Sequence, residues 1–167
     1  MNGWIVFGYG GFFSIFQLSG GLLIPDLMLH YSPEKIETLL QAYGSQARLY
    51  YLRYQFRDFL YPIVYGSFMM GILVRLIRPT SMNFWIFVPW FAVFFDFLEN
   101  AFLRLIFYDY PQIVNDRVQI AAWMTSFKWL FVLISFVLMI IAFRHRRIKY
   151  MRRLSHKESE LFADEEE

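Results

Sequence analysis

The chain contains no cysteine. Disulfides, thiolate nucleophiles, zinc–thiolate sites and iron–sulfur clusters are therefore excluded. Histidine is scarce as well: His30, His145 and His156 all lie outside the long apolar runs, so neither a haem-ligating helix nor a histidine-based intramembrane metal site is expected. Charged residues amount to 18%, below the roughly 25% of a soluble domain. There is no phosphate-cradling glycine loop, nucleophile elbow, zinc-protease motif or internal repeat. The Gly8, Gly10, Gly11 run lies inside an apolar stretch, where close helix contact explains it better than phosphate binding. No cofactor is expected.

What is present is apolar surface. Hydrophobic residues make up 57% and aromatic residues 22%, with 20 Phe against nine Gly and six Pro; such a chain is neither disordered nor low in complexity. The mean hydropathy of +0.37 points to lipid as the solvent. A length of 167 residues suits one domain. From Trp4 to Pro25 there is no Asp, Glu, Lys or Arg, and at about 1.5 Å per residue such a run crosses a hydrocarbon core of roughly 30 Å. It begins without Lys or Arg, and Leu18-Ser19-Gly20 is a poor cleavage site, so a retained anchor is expected. Three more spans follow, giving boundaries of about 4–25, 57–77, 84–107 and 118–143. The expected fold is all-α: an integral membrane four-helix bundle with a short extra helix, about 33–43, in the first external loop.

That loop helix has its own signals. Ser32 can cap it with Pro33 at the first position and Glu34 in the first turn, and Gly44 is placed to end it. Ile36, Leu39, Leu40 and Tyr43 recur at helical spacing, which seats it on the bundle mouth or the membrane surface. After Phe143 come Arg144, Arg146, Arg147, Lys149, Arg152 and Arg153, and Arg75 and Arg78 close span two. By the positive-inside rule both termini then face the cytoplasm. The net charge of +2 is therefore a topology signal, and no nucleic-acid partner is expected. The basic tail is also suited to anionic lipid, and the acidic end, Glu158 to Glu167, reads as a solvated terminus. The expected partner is the lipid bilayer; nothing in the sequence specifies an oligomer.

Residues three and four apart share a helix face, and each span has a polar or small stripe at that spacing. These are Gly10, Ser14, Gln17 and Gly21; Asp58, Tyr61, Pro62 and Tyr65; Asp96, Glu99, Asn100 and Arg104; and Thr125, Lys128 and Ser135. Lipid cannot solvate such groups, so the stripes are expected to meet inside the bundle. Glu99 and Lys128 fall at similar depths, roughly 12 to 15 Å from the outer ends of their spans, and are the expected ion pair. Arg104 with Asp58 is the expected second pair. Asp96 is left without a cation of its own and is expected to carry or share a proton. Oxygens of Asp96, Glu99 and Asn100 suit a hard cation, but Lys128 and Arg104 compete with one, so no metal site is expected. Pro62 reads as a local kink. The candidate ligand-binding residues are Gln17, Asp58, Tyr61, Tyr65, Asp96, Glu99, Asn100, Arg104 and Lys128.

Over Tyr31 to Leu130 the chain resembles a group of small four-span membrane proteins with no assigned activity. The resemblance rests on Ser32-Pro33-Glu34, Gly44, Tyr51, Asp58 with Tyr61-Pro62, Asp96-Phe97-Leu98-Glu99-Asn100, Tyr110-Pro111 and Lys128-Trp129-Leu130. A weaker similarity is to the EXPERA-domain proteins, the sterol-isomerase and sigma-two-receptor group, carried by Asp26, the Tyr31 to Tyr43 segment and Asp58 ahead of Pro62. The third span departs from that pattern and lacks the isomerases' intramembrane histidine, so the similarity implies a lipid or amphiphile pocket and not sterol isomerisation. The expected function is binding of a small lipid-like or amphipathic ligand. A structural or chaperone-like subunit, its charges locking the bundle, is the second reading. The third is a lipid-modifying enzyme using Asp96 or Glu99 for proton transfer.

Overall fold

The computed structural model describes residues 15–17, 19–77 and 84–164. Trp4, Gly8, Gly10, Gly11 and Ser14 of span one, the stop at Arg78 and Pro79, and Glu165, Glu166 and Glu167 lie outside the described residues. The described chain is helical, with no strand. Its helices are α1 (Pro33–Asp58), α2 (Tyr61–Leu76), α3 (Val88–Asp109) and α4 (Asn115–Asp164), with 3-10 turns at Pro25–Leu27 and Phe84–Phe87. The helical turn at 15–17 stops at Ser19 and does not continue to Pro25. Gly20 and Gly21 both adopt positive φ there, and the Gly21 amide closes back on the Phe16 carbonyl at 2.8 Å.

Ser32 caps α1 as its residue type predicts, its hydroxyl accepting from the Lys35 amide at 3.3 Å. Gly44 breaks the helix direction at φ 59° and ψ −176°, a conformation essentially confined to glycine. The helix then resumes, so the stretch from 45 to 55, read from sequence as loop, is helical. Arg48 donates to the Leu40 carbonyl at 2.8 Å across the kink and lies over the Tyr110 ring, 4.2 Å from its centre. The reason for the second half of α1 is the four-residue repeat Tyr43, Ala47, Tyr51, Gln55, all buried, which extends one apolar face past the glycine.

The apolar face of α1 packs on the ends of α3 and α4, so the segment 33–43 caps the helices and is not a free surface helix. Ile36, Leu39, Leu40 and Tyr43 share a core with Leu103, Ile106, Val118 and Ala121. Tyr51 stacks on Phe107 with ring centres 4.0 Å apart. A 41° bend separates α1 from α2. Pro62, expected to kink a span, instead sits in the first turn of α2, where its missing amide costs nothing. The helix within the expected second span thus begins at Tyr61.

The most extensive helix contact is α3 with α4, followed by α2 with α3. Phe91 and Phe95 of α3 stack on Phe131 of α4. Beyond this seam α4 shows an exposed apolar surface that includes Trp123, Leu130, Leu133, Phe136, Ile140 and Ile141. No Gly or Pro interrupts residues 115–164, so α4 runs on through the basic segment after Phe143 without a break. Two helical stretches, Phe84–Asp109 and Asn115–Arg152, are long and apolar enough to cross a membrane, and α1 with α2 meets the same test as one bent pair.

Close approach of α2 and α3 depends on Gly66, where an added Cβ would overlap the Val93 Cγ2 methyl. Valine is stiff at χ1 in a helix and cannot swing aside. Gly66→Ala is expected to destabilise the protein by about 1–3 kcal/mol through overpacking, less about 1 kcal/mol gained in helix propensity. Gly66→Ala/Val93→Ala is expected to be more stable than the sum of the single changes. Thermal unfolding of the four proteins in detergent checks this, and strict additivity would contradict it.

Candidate functional site

Asp96 and Glu99 are three residues apart on α3 and so share one face, which α4 meets with Lys128. The Lys128 ammonium lies 2.5 Å from Glu99 Oε2 and 3.6 Å from Asp96 Oδ1, and the Glu99 side chain is wholly buried. The expected Glu99–Lys128 pair therefore forms. Asp96, expected to lack a cation, shares the same lysine. It also accepts from Tyr65 Oη at 3.0 Å and from Asn100 Nδ2 at 3.2 Å. Gln55 of α1 donates to the Asn100 carbonyl at 2.8 Å, tying a fourth helix to the cluster.

On the other side of Glu99, Thr125 Oγ1 is 2.6 Å from Oε1, and the Tyr31 hydroxyl is 3.2 Å from Thr125 Oγ1. A threonine has one hydroxyl proton and a carboxylate has none to give. The arrangement that satisfies all three groups is Tyr31 donating to Thr125 and Thr125 donating to Glu99.

The segment from Pro25 to Tyr31, read from sequence as the start of an external loop, runs along α4 at the level of this cluster. Apart from one 3-10 turn it is not helical, so its carbonyls need partners from elsewhere, and α4 supplies them. Lys128 Nζ donates to the Asp26 carbonyl at 3.2 Å, Trp129 Nε1 to the Met28 carbonyl at 3.1 Å, and Ser126 Oγ to the Leu29 carbonyl at 3.0 Å. The Asp26 side chain is buried too, its Oδ2 accepting from Tyr51 Oη at 2.7 Å. We refer to Pro25–Tyr31 as the strap.

Other expected members fall elsewhere. Gln17 is exposed, because the helical turn that carries it ends two residues later. Tyr61 is 63% exposed and lies edge-on to Tyr65 at the first position of α2. Arg104 forms no ion pair with Asp58 among the described residues; it reaches one turn along its own helix to Tyr108, whose ring centre is 5.4 Å away. Asp58 is half-buried and has the Asn100 amide as a neighbour. Ser135 is buried but returns its hydrogen bond to the Phe131 carbonyl of its own helix. Missed by sequence reasoning were Asp26, Tyr31, Tyr51 and Gln55. The signal for the last two was the four-residue repeat that crosses Gly44.

The cluster is unbalanced. Among the described residues, Asp26, Asp96 and Glu99 are three buried carboxylates beside one buried lysine, Lys128. Asp26 Oδ1, Gln55 Oε1 and the Tyr43 hydroxyl have no hydrogen-bond partner among the described residues. Two of these three are pure acceptors, so what the site lacks is a donor. No three His, Cys, Asp or Glu side chains among the described residues are placed to hold a metal ion. Comparison of the chain with protein-family models, curated proteins and solved structures returns no match.

Asp26 depends on the Tyr51 hydroxyl, whereas the hydroxyl of Tyr50, beside it in sequence, meets the Gln46 amide in a solvent-exposed contact. Tyr51→Phe is expected to cost about 1–3 kcal/mol through the unsatisfied buried carboxylate, and Tyr50→Phe no more than about 0.5 kcal/mol. Equilibrium unfolding of the two variants would separate them, and equal losses would contradict the buried role of Asp26.

Proposed function

We propose that this is a four-span integral membrane protein with both termini cytoplasmic, whose polar interior receives the head of a small lipid-like or amphipathic ligand. The observation that carries the ligand reading is the surplus of buried acceptors, with Asp26 Oδ1 and Gln55 Oε1 unpaired beside three carboxylates and one lysine. Such groups are costly when left unmet, and a head group bearing hydrogen-bond donors meets them. Asp96, Glu99, Asn100, Tyr65 and Lys128 frame the site; Gln17, Tyr61 and Arg104 take no part in it.

Several features support the membrane reading. The exposed surface of α4 is apolar over the length of a span. Arg146 donates to the Arg75 carbonyl at 2.8 Å, so the basic ends of α2 and α4 lie together, as the positive-inside rule requires. Tyr108 and Tyr110 lie at the other end of α3 with the ion-paired Asp109 and Arg117. In this setting Lys128 is ten residues beyond Val118, about 15 Å deep. The strap is then non-helical backbone at membrane depth, tolerated only where protein satisfies it, and Ser126, Lys128 and Trp129 do so.

The second reading, a structural subunit, is favoured by one observation: the Lys128 ammonium joins α3, α4 and the strap at once. Asp26→Asn distinguishes the two. It keeps an oxygen for Tyr51 and replaces the unpaired Oδ1 with a donor. Native mass spectrometry of protein extracted with its own lipids is expected to show a small amphiphile on the wild type. Retention in Asp26→Asn is expected to fall about tenfold or more, with little change in stability. Protein free of any such molecule, or equal retention by both forms, would leave the structural reading standing.

A further inference from the structure

Beyond Phe143, α4 carries five exposed basic side chains among the described residues: Arg144, Arg146, Arg147, Lys149 and Arg152. They are not equivalent. Arg146 turns back to the α2 terminus, where it holds the Arg75 carbonyl. Arg144, Arg147 and Arg152 instead lie beside Phe143, Ile148 and Met151 on one open face of the helix. At about 100° per residue the three guanidinium groups fall within an arc of roughly 140°, with Ile148 and Met151 between them and Phe143 at its edge, whereas Lys149 and Arg146 fall outside that arc.

None of the three arginines has an acidic residue three or four positions away. No Asp or Glu occurs at all between Asp116 and Glu158. This face therefore has positive charge without a partner along its own helix, set against exposed apolar side chains. A surface that existed only to stay in water would have no use for Phe143, Ile148 and Met151, and one that existed only to face acyl chains would not carry three guanidinium groups. The combination matches a molecule that is anionic at one end and apolar at the other.

We propose that this face of α4 is a binding site for an anionic phospholipid of the adjoining leaflet. Arg144 and Arg147 grip the phosphate through the paired N–H groups that suit guanidinium to phosphate. Arg152 reaches an anionic head substituent, and Phe143 packs on the start of the acyl chains. The inference rests on the membrane reading above, but not on the ligand proposed for the buried cluster, which lies on a different part of α4.

The test is native mass spectrometry of the full chain in detergent with an equimolar mixture of phosphatidylserine and phosphatidylcholine carrying the same acyl chains. Phosphatidylserine is expected to be retained preferentially. Arg147→Gln should weaken its retention about fivefold, and the triple Arg144→Gln/Arg147→Gln/Arg152→Gln change about a hundredfold. Lys149→Gln, which removes the same charge outside the arc, should change little. Equal retention of the two lipids, or equal losses in Arg147→Gln and Lys149→Gln, overturns the site in favour of diffuse charge attraction. Carbonate extraction of native membranes tests the reading beneath it separately: release of the chain into the soluble fraction overturns the membrane assignment itself.

Discussion

A lysine ammonium removed from water must find its counter-charge in the protein, and here it does so 2.5 Å away on Glu99. That single contact constrains the rest. Desolvating two charges is expensive, and mutual attraction offsets the cost only when the geometry is good and the remaining donors and acceptors are met. Around Lys128 they are met by recruitment from every side: Asp96 on the same helix face as Glu99, Thr125 with Tyr31 on the other carboxylate oxygen, and the Asp26 carbonyl on a third side of the ammonium.

The demand for partners explains two features that helix packing alone would not require. One is the strap, which follows α4 in non-helical conformation because Ser126, Lys128 and Trp129 supply donors to its carbonyls. The other is the second half of α1, which lies inward as far as Gln55 and brings Tyr51 to Asp26. With them in place, a site arises that binds its own helices tightly yet leaves Asp26 Oδ1 and Gln55 Oε1 without donors among the described residues.

Much of this was legible in the sequence, and unevenly so. The long apolar stretches of α3 and α4, the Ser32 cap and the Glu99–Lys128 pair follow from periodicity and from the cost of unpaired charge. The first loop was misread because Arg48 and Arg53 mask the inward repeat Tyr43, Ala47, Tyr51, Gln55; a helix can carry arginines on one face and a buried stripe on the other. Depth matching paired Asp58 with Arg104, but level does not fix direction, and Arg104 is satisfied one turn away by Tyr108. The Gln17 stripe assumed a helix to Pro25, whereas Gly20 and Gly21 adopt positive φ before it and Gln17 lies exposed. Asp26 could not be placed at all without knowing that non-helical backbone returns beside α4.

The most direct measurement of the central claim is a thermodynamic cycle on Glu99 and Lys128, made by reversible unfolding of the full chain in mixed micelles. Lys128→Met, which strands a buried carboxylate, is expected to cost about 3–5 kcal/mol, and Glu99→Gln/Lys128→Met to recover most of that loss. If Lys128→Met instead costs only a few tenths of a kcal/mol, as an exposed lysine would, and the double change is additive, then the two charges do not hold one another and the account fails.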